Sequence, residues 1–175
     1  MPFTLYDAFV PNCQQILTGM SGLIDKGEAH VKEHGLDDAA LLDAKLSDTM
    51  WSLPWHVRAC WMHSAYPFDQ LPGGEFTPDL TIVPDSWDAM RAMVATTQER
   101  LAKVTADEVD ELADKTIGFV LGGNRLMEFK GSDFLLSFNQ PNFYFHATTF
   151  YDILRSEGVA LGKRDFLGPA RELTN

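Results

Sequence analysis

Five histidines are the residues of this chain best suited to chemistry near neutral pH, and their spacing sorts them into three sets. His30 and His34 stand one helical turn apart, beside Glu28, Lys32, Glu33 and Gly35. That spacing can chelate a metal. The surroundings are those of a solvated helix end, where an imidazole complements the helix dipole. His56, Cys60 and His63 share one helical face. At a rise of ~1.5 Å per residue, His56 and His63 lie ~10 Å apart along the axis. One ion held at ~2 Å from each ligand takes one of the two and not both. Cys60 belongs with the core, and with Cys13 it makes too few cysteines for a disulfide framework, so free buried thiols are expected. His146 closes the segment Pro141-Asn142-Phe143-Tyr144-Phe145-His146, with Asn142 one turn earlier on the same face. Such a pair on a bundle helix can hold a metal in the interior, although a neutral amide oxygen suits hard cations better. The alternative is a buried hydrogen-bonded pair, Asn142 with His146, that fixes helix register.

Helices must position these residues. Leu5, Phe9, Cys13, Ile16, Leu17, Met20, Leu23 and Ile24 recur at three- and four-residue steps, an apolar stripe on a first helix. Thr4 with Asp7 reads as its capping box, Gly35 as its end, and Pro11 as a kink or a shifted start. A short helix or turn follows over 37–45. Ser47 is the expected cap of a second long helix running to about Asp69, interrupted at Pro54. Residues 75–84 read as an extended connection. Asp85 or Ser86 caps a third helix, and Thr105 with Glu108 a short acidic one. Thr116–Leu121 and Leu126–Phe129 flank Gly122-Gly123-Asn124-Arg125, a hairpin pattern. Those glycines lack the Lys-Ser/Thr of a phosphate loop. Ser132 is expected to open a fourth helical region, with its main helix over Pro141–Glu157 and Gly158 ending it. The tail 162–168 is expected to pack back on the bundle.

Composition excludes several classes of function. The chain has 175 residues and a net charge of −11, which speaks against constitutive nucleic-acid binding. The basic residues of the last 25 positions alternate with acids, so they make no phosphate-tracking stripe. The first lysine is Lys26, and the charge-free runs Ala8–Ile24 and Phe134–Tyr151 carry too many polar residues for membrane spans. A cytoplasmic protein with no membrane or nucleic-acid partner is expected, as a single domain over 1–175.

The chain resembles the DinB/YfiT-like superfamily. The fourth-helix pattern there is His-x3-His, then Leu-Arg with the Arg nine residues after the second His, then Gly three further on. Here His146 is followed by Leu154, Arg155 and Gly158, and Asn142 stands at the first His position. The superfamily's third ligand comes from the second helix, where His56 is the match by its distance to Leu71-Pro72-Gly73. The chain is still more similar to an uncharacterised bacterial family marked by a Leu-Tyr-Asp start, here 5–7, by Pro-Asn-Phe-Tyr-Phe-His, here 141–146, and by Gly-Lys-Arg-Asp-Phe-Leu-Gly, here 162–168.

The resemblance implies an all-α, up-down-down-up four-helix bundle of the DinB-like kind, with the small β-hairpin between its third and fourth long helices. It also implies a homodimer. It points to a degenerate metal site on His56, His146 and Asn142, holding a divalent Zn, Ni, Mn or Fe ion in a transferase or hydrolase, with Trp51, Trp55 and Tyr144 lining the pocket. His63 is outside that ligand pattern and is read as packing or rim. The competing expectation is a non-catalytic homodimeric bundle that binds a small apolar ligand or a protein partner.

Overall fold

Thr4 and Asp7 start the first helix by satisfying each other's backbone donors. The Asp7 N–H donates to Thr4 Oγ1 at 3.1 Å, and the Thr4 N–H donates to the Asp7 carboxylate at 3.0 Å. The structure is a computed structural model that describes residues 3–173. Helix α1 spans Leu5–His34 and ends at Gly35, whose φ of 62° lets the chain turn out of the helix. Pro11 neither stops α1 nor moves its start. The Ala8 carbonyl, one turn before the ring, accepts the side-chain amides of Asn12 at 2.7 Å and Gln140 at 2.9 Å.

The second helical region differs from expectation. After the short α2 (Ala39–Leu42), Ser47 sits in a turn, and α3 runs only over Leu53–Met62. Pro54 does not interrupt a helix; it lies in the first turn of one, where its missing N–H has no helical partner to lose. Beyond His63 the chain turns into α4 (Pro67–Gln70), then a 3₁₀ turn at Leu71–Gly73.

Strand β1 (Glu75–Phe76) follows, then α5 (Trp87–Leu101), capped by the Ser86 hydroxyl, and α6 (Ala106–Ala113), capped by Thr105. Strands β2 (Thr116–Leu121) and β3 (Asn124–Lys130) form the expected hairpin, with Gly122 and Gly123 at φ 58° and 79° in its turn. β1 pairs parallel to β2 through Phe76 opposite Phe119, so the sheet has the order β1-β2-β3. Two residues were too short a run to read as a strand.

Short α7 (Gly131–Asp133) leads into a π-helical turn, Phe134–Asn139, and then α8 (Gln140–Ser156). Pro141 accounts for the wide turn. It donates no hydrogen bond, and its ring pushes away the carbonyl one turn back. Rings of Phe76, Phe119 and Phe129 from the sheet pack on Phe134 and Phe138 of this turn at 5.2–5.4 Å. The sheet therefore holds the turn in place.

α1 packs against α5 and α8, and α3 packs against the same two. Phe9, Met20, Leu23, Val57, Met90, Phe143 and Phe150 fill the space between them. Short α9 (Lys163–Leu167) lies back on α1, where Lys26 pairs with Asp165 at 2.7 Å. No helix among the described residues is long and apolar enough to cross a membrane.

Two glycines of α1 test this packing. A Cβ on Gly19 would collide with the Phe166 carbonyl, whereas one on Gly22 would meet nothing within 4 Å. Gly19→Ala is expected to destabilise by about 1–3 kcal/mol. Gly22→Ala, exposed and helical, is expected to stabilise by about 0.5–1 kcal/mol. Urea unfolding of the two variants measures both signs.

Candidate functional site

Helices α3 and α8 lie side by side and bring three of the five histidines into one buried cluster. His56 Nδ1 is 3.0 Å from His146 Nδ1. His56 Nε2 is 3.2 Å from the Trp51 carbonyl oxygen. A carbonyl only accepts, so Nε2 of His56 carries the hydrogen, and its Nδ1 is a lone pair. The proton between the two Nδ1 atoms therefore belongs to His146. That leaves His146 Nε2 unprotonated, with no protein partner among the described residues.

His63 is fixed by a parallel route. The Asn139 amide donates to the Phe134 carbonyl at 3.2 Å, which orients its Oδ1 toward His63 Nδ1 at 3.0 Å. His63 therefore donates through Nδ1. His56 and His63, seven residues apart on one face, flank the His146 ring with centroids at 5.2 and 6.0 Å from it. α3 stops at Met62, and His63 caps it with φ −101°. Its ring lies parallel to that of His146, 5° apart in plane with centroids 6.0 Å apart.

All three rings are neutral. His56, His63 and His146 are only 1%, 5% and 8% exposed, and a charged imidazole would be stripped of water there. Burial, then the neighbouring His56, His63 and Arg58, pushes His146 down to about 3. Burial brings His63 down to about 4, against the opposing hydrogen bond to Asn139. Burial also lowers His56, although the Trp51 carbonyl favours its protonated form.

A cleft of about 230 Å³ opens on this cluster, lined by Thr49, Met50, Trp51, His56, Phe145 and His146. The Trp51 ring stacks on His146, 14° apart in plane at 5.6 Å, and on Trp55 at 5.2 Å. The turn over 43–52 delivers Trp51, closed by the Leu53 N–H donating to the Ala44 carbonyl at 3.0 Å.

Other expected site residues lie elsewhere. The Asn142 amide donates to the Phe138 carbonyl of its own helix at 2.8 Å and makes no bond with His146. Trp55 lines a separate pocket with Pro54, Val83 and Pro84. Tyr144 packs on Phe143 at 5.6 Å, on the side of Cys13 and Arg171. His34 Nδ1 donates to the His30 carbonyl at 2.9 Å on the exposed end of α1. Cys13 and Cys60 are free and buried, and burial pushes both thiols up. Thr49, Met50 and Phe145 were not expected in the site, nor Asn139 as the partner of His63. Asn139 could have been found, since it precedes His146 by two turns of helix.

For a divalent ion, this donor set offers two facing imidazoles and no third ligand among the described residues. Among the described residues no group of three or more His, Cys, Asp or Glu is arranged to hold a metal. The facing nitrogens of His56 and His146 already share a proton, and Asn142 is engaged on its own helix. Protein sites for zinc supply three or four ligands.

A family model described as a domain of unknown function (DUF1993) matches residues 5–167. No curated protein matches the chain. Among solved structures, the crystal structure of a DinB family member protein from Shewanella denitrificans is similar, with a TM-score of 0.81 and 25% sequence identity over 98% of this chain and 96% of that one. The fold is DinB-like.

The buried imidazoles make stability depend on pH. Unfolded histidines take up protons near pH 6.5, at about the ordinary value. In the fold, His63 and His146 hold out to about 4 and about 3. The unfolded chain therefore binds more protons between these limits. The stabilisation is complete above about pH 6.5 and is lost as pH falls toward the folded values. Near pH 5.5 the two histidines contribute about two protons, a slope of roughly 2–3 kcal/mol per pH unit, and His56 adds in the same direction. His146→Gln is expected to reduce that slope by about one proton, read from urea unfolding across a pH series.

Proposed function

The chain belongs to the DUF1993 family, and we propose that it is a small-molecule binding protein whose site is the cleft over His146. The observation that carries this reading is the hydrogen-bond pattern that leaves His146 Nε2 bare, with no partner among the described residues, in a side chain lining a cleft walled by Met50, Trp51 and Phe145.

Base strength favours binding over proton transfer. A general base works best when its pKa lies near the working pH. An imidazole lowered to about 3 accepts a hydrogen bond through its bare Nε2 at neutral pH but takes up essentially no second proton there. The thiols are inert for the opposite reason, being buried and held protonated. The cleft walls supply what a small flat ligand needs. Trp51 and Phe145 offer ring faces, and His146 offers one directional acceptor. At about 230 Å³ the space suits one small ring rather than a cofactor. The ligand class is a flat, mainly apolar molecule carrying one O–H or N–H donor.

Phenol and toluene separate this reading from the metal-dependent transferase or hydrolase that the resemblance implied. In tag-free protein, phenol is expected to quench Trp fluorescence saturably. Toluene, which lacks the donor, is expected to bind at least about tenfold more weakly, the worth of one hydrogen bond. His146→Leu is expected to abolish that preference. Stabilisation by equimolar zinc or nickel that disappears in His56→Ala and His146→Ala would overturn the reading in favour of a metal centre.

A further inference from the structure

Arg58 is a fully buried cation without a counter-ion. It is 0% exposed, and its Nε and Nη1 have no hydrogen-bond partner among the described residues. Its Nη2 reaches only the Met62 sulfur at 3.7 Å, and the guanidinium sits over the Trp55 ring, 5.4 Å from the centroid. The more exposed arginines behave otherwise. Arg91 pairs with Asp25, Arg100 with Asp69 and Arg125 with Glu75, at 2.6–2.7 Å. A guanidinium stays charged even when buried, so Arg58 carries a desolvated charge with no direct ion pair among the described residues.

This side chain does not belong to the histidine cleft. At ~100° per residue, it is turned ~160° around α3 from His56. Trp55 and Trp61 stand three residues on either side of it, on its own face. The strap Val83-Pro84-Asp85 adjoins both tryptophans. It walls a pocket of about 340 Å³ with Trp55 and a groove of about 510 Å³ with Trp61 and Met93. Arg58 itself lines neither opening; its neighbours on the same face of α3, Trp55 and Trp61, do. Asp79, the acid whose charge it feels, accepts from the Thr81 N–H and hydroxyl at 2.7 Å and makes no ion pair with it.

We propose that Arg58 is the receptor for a small oxyanion, a carboxylate or a phosphate, that reaches it from the side of α3 on which Trp55 and Trp61 line open pockets. The anion would claim the free N–H donors of Nε and Nη1 and supply the missing charge. Trp55 and Trp61 offer apolar faces for the remainder of the molecule. Asp79 and Asp85 oppose an anion, so the guanidinium must engage it by direct hydrogen bonds and not by long-range attraction.

Thermal unfolding in inorganic phosphate and in acetate, against chloride at equal ionic strength, tests this. Wild type is expected to show a saturable rise in melting temperature with at least one oxyanion, and the responding anion identifies the class. Arg58→Met is expected to lose the rise and, free of the unpaired charge, to melt above wild type in chloride. His146→Leu is expected to keep the rise, which separates this site from the cleft. No rise in wild type, or a rise kept by Arg58→Met, overturns the proposal. So does an Asp79→Asn variant that loses stability in chloride and shows a rise absent from wild type, since Asp79 would then be the true counter-ion. If Arg58→Met does not fold, the NMR signal of the Arg58 Nε–H decides. It moves on titration with the responding anion, and an unmoved signal rejects the site.

Discussion

A carbonyl oxygen cannot donate a hydrogen bond, and in this protein that constraint propagates from Trp51 through two imidazoles. The Trp51 carbonyl takes the Nε2 proton of His56, which obliges His146 to donate through Nδ1 and leaves its Nε2 as a lone pair. Leaving one of these buried nitrogens unpaired would cost about 1–3 kcal/mol. The elements around the site satisfy this requirement. The turn over 43–52 returns Trp51 to the start of α3. The packing of α3 on α8 sets the two rings within hydrogen-bond distance. Burial then keeps both neutral, because neither has a carboxylate beside it to stabilise the cation.

The small sheet acts on the same cluster indirectly. Phe119 and Phe129 clamp Phe138, and Phe138 meets the His63 ring edge-on at 5.8 Å. The π-helical turn between the sheet and α8 buries Asn139 fully, and Asn139 orients His63. The hairpin is therefore the outer support of a polar arrangement inside the helices. Its glycine turn matters because it lets β2 and β3 bring their aromatic side chains onto one short segment.

Local signals in the sequence identified the features that depend on neighbouring residues alone. Thr4 with Asp7, Ser86, Thr105 and Gly35 mark helix ends through hydrogen bonds made within a few residues, and Gly122-Gly123 marks the hairpin. The meeting of His56 and His146 followed from the resemblance and from two apolar helix faces. What escaped depends on where a helix starts and on how two helices lie together. Pro141 reads correctly as a first-turn proline, but Pro54 reads as an interruption and starts a helix instead, and only the observed boundary of α3 distinguishes the two cases. His63, two turns after His56 on the same face, meets His146 from the other side, a contact that depends on how α8 lies against α3. Asn142 does not pair with His146 because its amide donates instead to the Phe138 carbonyl, one turn back along the chain. Arg58 gave no sequence signal, since a cation between tryptophans reads equally well as a surface residue.

Helix α3 therefore carries polar groups in opposite electrical states on its two sides. The histidines lose their charge on burial because an imidazole can give up its proton, whereas the guanidinium cannot. The two sides still share one field. The charge of Arg58 lowers both His63 and His146 through the helix. An anion seated on Arg58 weakens that field, so both imidazoles become easier to protonate. By linkage, protonating them strengthens the hold on the anion by the same free energy. With an oxyanion bound as proposed, acid and anion would act together on α3, through the charge that Arg58 keeps on burial.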